Sequence, residues 1–138
     1  MKLSIINALA GMLSSMKINK ITDKAVKTAL VNDYLHLRKF VKDADEERRE
    51  LVEKFQKDWA EELPLVEAFR RENKPVEGHQ EYLEAEADAN KAIAEIFDND
   101  VEVSLKAVPV DDFVAACGVE ELTLEQVAFL QDCGLIEE

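Results

Sequence analysis

Glycine, proline and cysteine are scarce in this chain, which holds 4 Gly, 3 Pro and 2 Cys among 138 residues. An all-β architecture needs turn residues between many short strands, so this composition argues against one. The only cysteines, Cys117 and Cys133, lie in segments that are predicted to be packed helices. We therefore expect two free thiols rather than a fold held by disulfides.

Basic residues are nearly absent from the second half of the chain. Fifteen of the 17 lysines and arginines lie at or before Lys74, whereas residues 77–138 carry Lys91 and Lys106 against 17 acidic side chains. An acidic surface repels nucleic acid and anionic lipid and attracts basic proteins. We therefore expect one or more protein partners, no direct nucleic-acid binding and no membrane binding.

Long apolar runs are also missing. Residues 3–13 are largely apolar, but Ser4 and Asn7 interrupt them, and a membrane-spanning helix needs about 20 apolar residues. Residues 14–17, which follow, offer no good signal-peptide cleavage site. The segment is therefore predicted to be a buried amphipathic helix, and we do not expect a secreted protein.

Sequence signatures of catalysis are lacking. The chain has no phosphate-binding glycine loop, nucleophile elbow or zinc-ligand spacing. His36 and His79 have no serine or cysteine nucleophile nearby in sequence. Residues 98–109 begin like a calcium loop, but Val103 and Pro109 stand where that loop needs glycine and glutamate. We expect no catalytic residue, no metal and no cofactor, hence a protein that is not an enzyme.

What the chain does contain is helical periodicity. From Asp23 to Glu62 there is no glycine or proline, and apolar side chains recur in steps of four and three. This pattern predicts one long helix capped by Thr22. Its seam consists of Leu30, Tyr34, Leu37, Val41, Ala44, Leu51 and Phe55.

Shorter helices are predicted on both sides of the long one. Ser4 is placed to cap a first helix that ends near Met16. Its buried side would hold Ile5, Leu9, Met12 and Met16. Residues 65–74 form one more helical stretch after Pro64. The turn at residues 74–78 precedes an amphipathic helix over residues 79–97, which is predicted to pair antiparallel with the long helix.

The pattern changes after residue 100. Apolar and polar residues alternate over residues 101–107, which predicts a short strand whose partner is residues 134–138, an irregular segment or another subunit. Asp111 or Asp112 is predicted to open a helix that Gly118 ends. Thr123 to Gln126 fits a capping box for a last helix that stops before Gly134.

These elements predict a mainly α fold. We expect a long antiparallel helical hairpin with a small C-terminal α+β subdomain that contains one or two short strands. The whole chain, residues 1–138, is predicted to be a single domain, with the hairpin and N-terminal helix in residues 1–97 and the acidic C-terminal subdomain in residues 98–138.

Two groups of residues are candidates for partner binding. Aromatic side chains cluster near the end of the long helix and in the stretch after it, followed by arginine, and they form either a local core or a docking surface. Four acids recur in steps of four, three and four and form either a solvated helix face or a binding surface. The candidate residues are Trp59, Phe69, Arg70, Glu77, Glu81, Glu84 and Asp88.

A small basic patch is the remaining surface feature. It holds Lys17, Lys20, Lys24 and Lys27. Without interleaved aromatics it does not indicate a nucleic-acid site. It is suited to contact with the acidic half of a neighbouring copy, and self-association through the long helix is a further possibility for this chain.

In order, the segments SIINALAGML, RRELVEKF, AIAEIFDNDVEVSL, KAVPVDDF and LTLEQVAFLQDCGLIEE resemble small bacteriophage proteins of unknown function that are encoded among virion and tail-module genes. The most specific part of the resemblance covers residues 92–113. The resemblance implies a phage-encoded, non-enzymatic protein–protein interaction protein that acts in virion assembly or as a minor virion or accessory protein, in the host cytoplasm or the virion. It supplies no site residues.

A second function stays open at this point. A small acidic protein can occupy the basic groove of a host-defence or nucleic-acid-processing protein, with carboxylates where phosphates would lie. The row of Glu77, Glu81, Glu84 and Asp88 suits such an inhibitor or mimic.

Overall fold

The computed structural model describes residues 1–117 and 122–138, and this part of the chain is mainly helical, as predicted. Its helices are α1 (Leu3–Ser14), a 3-10 turn (Ile18–Lys20), α2 (Lys24–Asp58), α3 (Leu63–Arg71), α4 (Gln80–Asp98), α5 (Val110–Cys117) and α6 (Leu124–Asp132). Its strands are β1 (Val108–Pro109) and β2 (Ile136–Glu137). The prediction that Gly118 ends α5 falls outside the described residues.

The chain folds into two compact units. Unit 1 comprises residues 1–42 and 100–138, and unit 2 comprises residues 43–99. The N-terminal helix therefore shares a unit with the C-terminal residues, whereas the sequence predicted that it belongs with the hairpin in residues 1–97. Residues 1–42 carry 8 basic and 2 acidic side chains, whereas residues 100–138 carry 1 basic and 10 acidic ones. Unit 1 thus combines chain segments of opposite charge.

The core of unit 1 is formed by α1, the first part of α2, α5 and the C-terminal residues. Its buried apolar side chains include Ile6, Leu9, Leu30, Leu37, Phe113, Leu130, Leu135 and Ile136. Each such side chain stabilises the fold by about 1.5–3 kcal/mol relative to an exposed one. The short parallel ladder of β1 with β2 pairs Val108 with Ile136 and lies within this core.

The first helix has a different N-cap and a different buried face from those predicted. It begins at Leu3, the N-cap is Lys2 without a side-chain hydrogen bond, and Ser4 is exposed. Its buried residues are Leu3, Ile6, Leu9, Ala10 and Leu13, whereas Ile5 is 37% exposed. The start is set by tertiary contacts, since Met1 and Val101 exchange two backbone hydrogen bonds of 2.9 Å and Lys2 forms a bridge with Asp100.

The long helix is confirmed, but its cap is not Thr22. Asp23 precedes α2, and its Oδ1 accepts a hydrogen bond from the Val26 amide at 3.0 Å. The Thr22 hydroxyl is directed elsewhere, since Oγ1 donates to the carbonyl of Ala116 at 3.4 Å. Asp23 therefore satisfies one of the free amides of the first turn, which is the role of an N-cap residue.

The predicted strand at residues 101–107 is wrong. No described residue pairs with them in a ladder, although Val101, Val103, Leu105 and Ala107 are half-buried and the polar residues between them are exposed. The backbone finds partners other than a neighbouring strand, because Met1 pairs with Val101 and the Asp33 side chain accepts from the Lys106 amide. The strand β1 follows this segment, and its partner β2 lies in the predicted residues 134–138.

The last helix is confirmed in both its cap and its end. Thr123 Oγ1 accepts from the Gln126 amide at 3.1 Å, and Gln126 Oε1 accepts from the Thr123 amide at 2.9 Å. At the other end Gly134 has φ +82°, and the Leu135 amide donates to the Leu130 carbonyl at 3.0 Å. This C-terminal Schellman motif needs a residue in the left-handed region, where glycine carries no steric penalty.

Unit 2 contains the helical hairpin, in which α4 returns antiparallel along residues 43–58 of α2 and α3 lies in the connection. Its buried residues are Ala44, Val66, Tyr82 and Ile96. The Tyr82 ring contacts Phe55 and Trp59, at centroid distances of 5.3 and 5.7 Å. The small alanines of α4 allow close approach of the two helices.

Candidate protein-interaction site

The acidic face of α4, which we define as Glu81, Glu84 and Asp88, is fully exposed at one-turn spacing. Glu84 accepts a long hydrogen bond of 3.4 Å from Gln80. Within the described part of the chain, none of the three forms an ion pair. The face therefore presents three carboxylates without a salt-bridge partner among the described residues, with Lys91 one turn beyond Asp88.

Glu77 does not belong to this helix face. It lies in the turn before α4, which begins only at Gln80 after Gly78 with φ +78° and the N-cap His79. The prediction that four acids share one helix face is therefore wrong for Glu77, although its side chain is exposed like the others. The turn ends the helical register because Gly78 adopts the left-handed conformation.

The opposite face of α4 is anchored by aromatic packing. Tyr82 is only 2% exposed, and Trp59 meets its ring edge to face. Aromatic pairs in this geometry add about 0.5–1.5 kcal/mol beyond the area that they bury. Trp59, a predicted partner-binding residue, is thus half-buried and contributes to the local core of unit 2.

Phe69 is also half-buried, and its ring lies 6.1 Å from that of His79. His79 Nδ1 in turn lies 3.1 Å from Glu62 Oε2. These contacts join both the residue before α3, Glu62, and Phe69 near its end to the residue before α4. Glu62 was not singled out from the sequence, because 17 residues separate it from His79 and no spacing rule links them.

Arg70 forms the best-defined ion pair of unit 2. Its guanidinium donates two parallel hydrogen bonds to Glu86, with nitrogen–oxygen distances of 2.8 and 2.5 Å. These bonds raise the pKa of Arg70 and lower the pKa of the Glu86 carboxyl. Arg70 is therefore engaged within the fold, and it links α3 to α4. Sequence reasoning named Arg70 but missed Glu86.

The remaining reactive groups also have structural contacts. The His36 ring packs edge to face on Phe40 with centroids 5.4 Å apart. Both cysteines are free, as predicted, and burial raises the pKa of Cys117 to about 11 and raises that of Cys133. No group of three or more His, Cys, Asp or Glu in the described ranges could hold a metal ion.

Asp33 is a buried carboxylate that sequence reasoning missed. It is 3% exposed, and Oδ1 accepts from the Lys106 amide at 2.8 Å. Oδ2 is buried and finds no hydrogen-bond partner among the residues that the structure describes. Burial raises the pKa of this carboxyl above its ordinary value, which the Lys106 hydrogen bond partly opposes. The available signal was its position, three residues after Leu30 and four before Leu37, on the apolar side of the helix.

Unit 1 has a groove between α1 and α2, which we call the α1–α2 groove. It consists of two cavities of about 210 and 320 Å³ that share Ser14 and Tyr34. The smaller cavity is lined by Leu13, Ile21 and Leu30 and is mainly apolar. Arg38 and Lys42 line the larger one, so the groove is apolar at one end and basic at the other.

Comparison of the chain with protein-family models, curated proteins and solved structures found no match. Among the helices that the structure describes, none combines the length and the apolar character that crossing a membrane requires.

Proposed function

We propose that the protein is a non-enzymatic protein–protein interaction protein whose main binding surface is the acidic face of α4. The observation that carries this proposal is the exposure of Glu81, Glu84 and Asp88 without basic partners among the described residues. The helix that bears them is fixed from its other side by Tyr82 and by the Arg70–Glu86 pair. A row of carboxylates on a packed helix suits a basic protein partner, since complementary charge speeds encounter and fixes register.

The resemblance of residues 92–113 to phage proteins supports a more specific role. On that basis the protein acts in virion assembly or as a minor virion or accessory protein, in the host cytoplasm or in the virion. Its partner is then a basic virion or assembly protein. Self-association belongs to the same role, because assembly proteins act through repeated contacts.

The structural contacts of the reactive side chains support a function without catalysis. A cysteine nucleophile needs a thiolate, and the raised pKa of Cys117 keeps that thiol protonated at neutral pH. His79 is held between Glu62 and Phe69. Each of these groups thus has a packing role that accounts for its environment.

The second candidate is an inhibitor that mimics nucleic acid on a basic host-defence or nucleic-acid-processing protein. The same acidic face favours it. Along the helix axis, Glu81 and Glu84 are about 4.5 Å apart and Glu84 and Asp88 about 6 Å apart. Spacings of this size do not exclude mimicry of a phosphate backbone. The resemblance of residues 92–113 to proteins of phage virion modules favours the first candidate, so mimicry ranks below binding to a virion or assembly protein.

Affinity capture from infected or lysogenic host cells, read by mass spectrometry, tests both candidates. The test variant is Glu81→Gln/Glu84→Gln/Asp88→Asn. The chain offers a matched control in Asp43→Asn/Glu46→Gln/Glu50→Gln, which alters exposed acids of the same types at the same spacing on α2. We expect the test variant to lose the captured protein and the control to keep it.

The identity of the captured protein separates the candidates. A virion or assembly protein supports the first, and a defence or nucleic-acid-processing protein supports the second. If both variants capture the same proteins as the wild type, the acidic face of α4 is not the binding surface and the proposal fails.

A further inference from the structure

Unit 1 carries a surface that the proposed function does not use, namely the α1–α2 groove. At its apolar end Ile18 remains 48% exposed beside Leu13, Ile21 and Leu30. At its other end Arg38 and Lys42 are exposed, and neither forms an ion pair with any residue that the structure describes. Among the described residues, no acidic side chain pairs with Arg38 or Lys42, and Ile18 stays exposed at the apolar end although Leu13, Ile21 and Leu30 are themselves buried.

The outer face of α6 carries acidic side chains, in contrast to the basic end of the groove. Leu124 in the first turn of α6 is 89% exposed. Ala128 and Asp132 follow at one-turn spacing on the same side of the helix, and both are exposed. Glu125 lies beside them and is exposed as well. This face combines one large apolar side chain with acids.

The spacing of the two surfaces agrees. On α2, Leu30 at the apolar end and Arg38 at the basic end are eight residues apart, which corresponds to about 12 Å along the helix. On α6, Leu124 and Asp132 are also eight residues apart, hence about 12 Å. Midway between them, Tyr34 lines the groove and Ala128 lies on α6. A small side chain at that point allows a helix to approach closely.

We propose that the α1–α2 groove binds α6 of a second copy of this chain. Leu124 of that copy enters the apolar end, and Asp132 lies against Arg38 and Lys42. This alignment runs α6 parallel to α2 of the receiving copy. The occupant is a second copy because the same chain supplies a surface that matches the groove in charge, apolar content and spacing.

The arrangement has a consequence for assembly. The groove and α6 are different surfaces of unit 1, so the contact is heterologous, and repeated contacts form either a closed ring or an open filament. The inference rests on the proposed function in that it assumes a protein that acts by binding proteins. It uses a different surface from the acidic face of α4, so each can fail without the other.

Sedimentation velocity over a range of concentrations tests the proposal. We expect the wild type to form species larger than the monomer, with association that weakens as salt is raised. Arg38→Glu/Lys42→Glu removes the basic end, and Leu124→Ser removes the apolar anchor. Each variant is expected to associate at least about tenfold more weakly, since one anchor residue often supplies this much or more.

A mixing experiment makes the test specific. The groove variant retains a normal α6, and the Leu124→Ser variant retains a normal groove. At a concentration where each variant alone is mainly monomeric, an equimolar mixture is therefore expected to form a 1:1 heterodimer that does not grow further. A merely structural effect of either substitution does not produce this complementation.

Lys54→Glu/Lys57→Glu serves as the control, since it makes the same charge change at exposed positions of α2 in unit 2. Far-ultraviolet circular dichroism confirms that every variant keeps its helices. A wild type that is monomeric at all concentrations, or groove and Leu124→Ser variants that associate as it does, overturns the inference. Neither result affects capture through α4, which depends on Glu81, Glu84 and Asp88.

Discussion

The carboxylate of Asp33 accepts a hydrogen bond from the backbone amide of Lys106, with 2.8 Å between Oδ1 and the nitrogen. This bond joins α2 to the segment that precedes β1, although 73 residues separate its partners. It takes the place of a contact that a neighbouring strand would provide. Asp33 therefore satisfies one backbone amide in residues 101–107, whose side chains alternate between half-buried and exposed without belonging to a sheet.

The contribution of this bond is measurable with two neutral substitutions. Asp33→Asn and Asp33→Leu both remove the charge, but only asparagine retains an acceptor for the Lys106 amide. We expect the asparagine variant to be more stable than the leucine variant by about 1–3 kcal/mol, because an unsatisfied buried donor costs this much. Urea unfolding at pH 7 measures the difference. Equal stabilities would show that the Lys106 amide finds another acceptor.

Asp33 also predicts a pH dependence of stability. Its pKa in the folded protein is raised above 3.8, chiefly because the carboxyl is buried, while the Lys106 amide and the charges of His36 and Lys106 oppose the shift. The folded state therefore holds this proton more tightly than the unfolded chain does. Stability from this group is fully present below pH 3.8 and is lost as pH rises through the raised pKa.

The asparagine variant isolates this effect. The free energy of unfolding of the wild type, relative to that of Asp33→Asn, is expected to decrease as pH rises through that window and to be constant above it. Unfolding curves at a series of pH values provide the comparison. A difference that increases with pH would mean that the ionised carboxylate is stabilised in the fold rather than penalised.

Substitution by alanine is expected to change stability in opposite directions at Gly134 and at Gly11. Gly134 has φ +82° in the Schellman motif after α6, so Gly134→Ala is expected to destabilise by about 1 kcal/mol. Gly11 lies inside α1, and an added Cβ there meets no atom within 4 Å. Gly11→Ala is therefore expected to stabilise by about 0.5–1 kcal/mol. Thermal unfolding of both variants checks the signs, and a stabilised Gly134→Ala variant would contradict the assigned end of α6.

Removal of the Arg70–Glu86 ion pair is expected to lower the free energy of unfolding slightly, by an amount that depends on pH. Since the Arg70 side chain is 45% exposed, we expect Glu86→Gln to cost only about 0.2–1 kcal/mol at pH 7. The pKa of Glu86 is lowered by its hydrogen bonds from Arg70, so this contribution is present above the ordinary value of 4.5 and is lost as pH falls through the lowered pKa. Unfolding of wild type and variant should converge in acid. A Glu86→Gln variant that remains less stable than the wild type at low pH would indicate that Glu86 stabilises the fold by packing instead.

Local signals in the sequence predicted the local structure. The absence of glycine and proline from residues 23–62 predicted α2, and the Thr123–Gln126 capping box predicted the start of α6. Alternation over residues 101–107 predicted a strand wrongly, because alternation reports which side chains are buried and not which groups satisfy the backbone. The true partners, Met1 and Asp33, are distant in sequence.

The same limit applies to the candidate site. The helical period correctly predicted that Glu81, Glu84 and Asp88 share a face, and a glycine-containing turn removed Glu77 from it. Partners across helices, such as Glu86 for Arg70 and Glu62 for His79, follow no local spacing rule. Charge segregation was visible in the sequence. The sequence did not predict that the basic N-terminal segment and the acidic C-terminal segment fold into one unit.

The most direct test of the account is the affinity of the captured partner for three proteins: the wild type, the α4 variant Glu81→Gln/Glu84→Gln/Asp88→Asn and the α2 control Asp43→Asn/Glu46→Gln/Glu50→Gln. If the acidic face of α4 is the binding surface, the α4 variant binds at least about tenfold more weakly and the control binds within about twofold of the wild type. Equal dissociation constants for the two variants would contradict the account, because binding would then depend on total charge or on another surface.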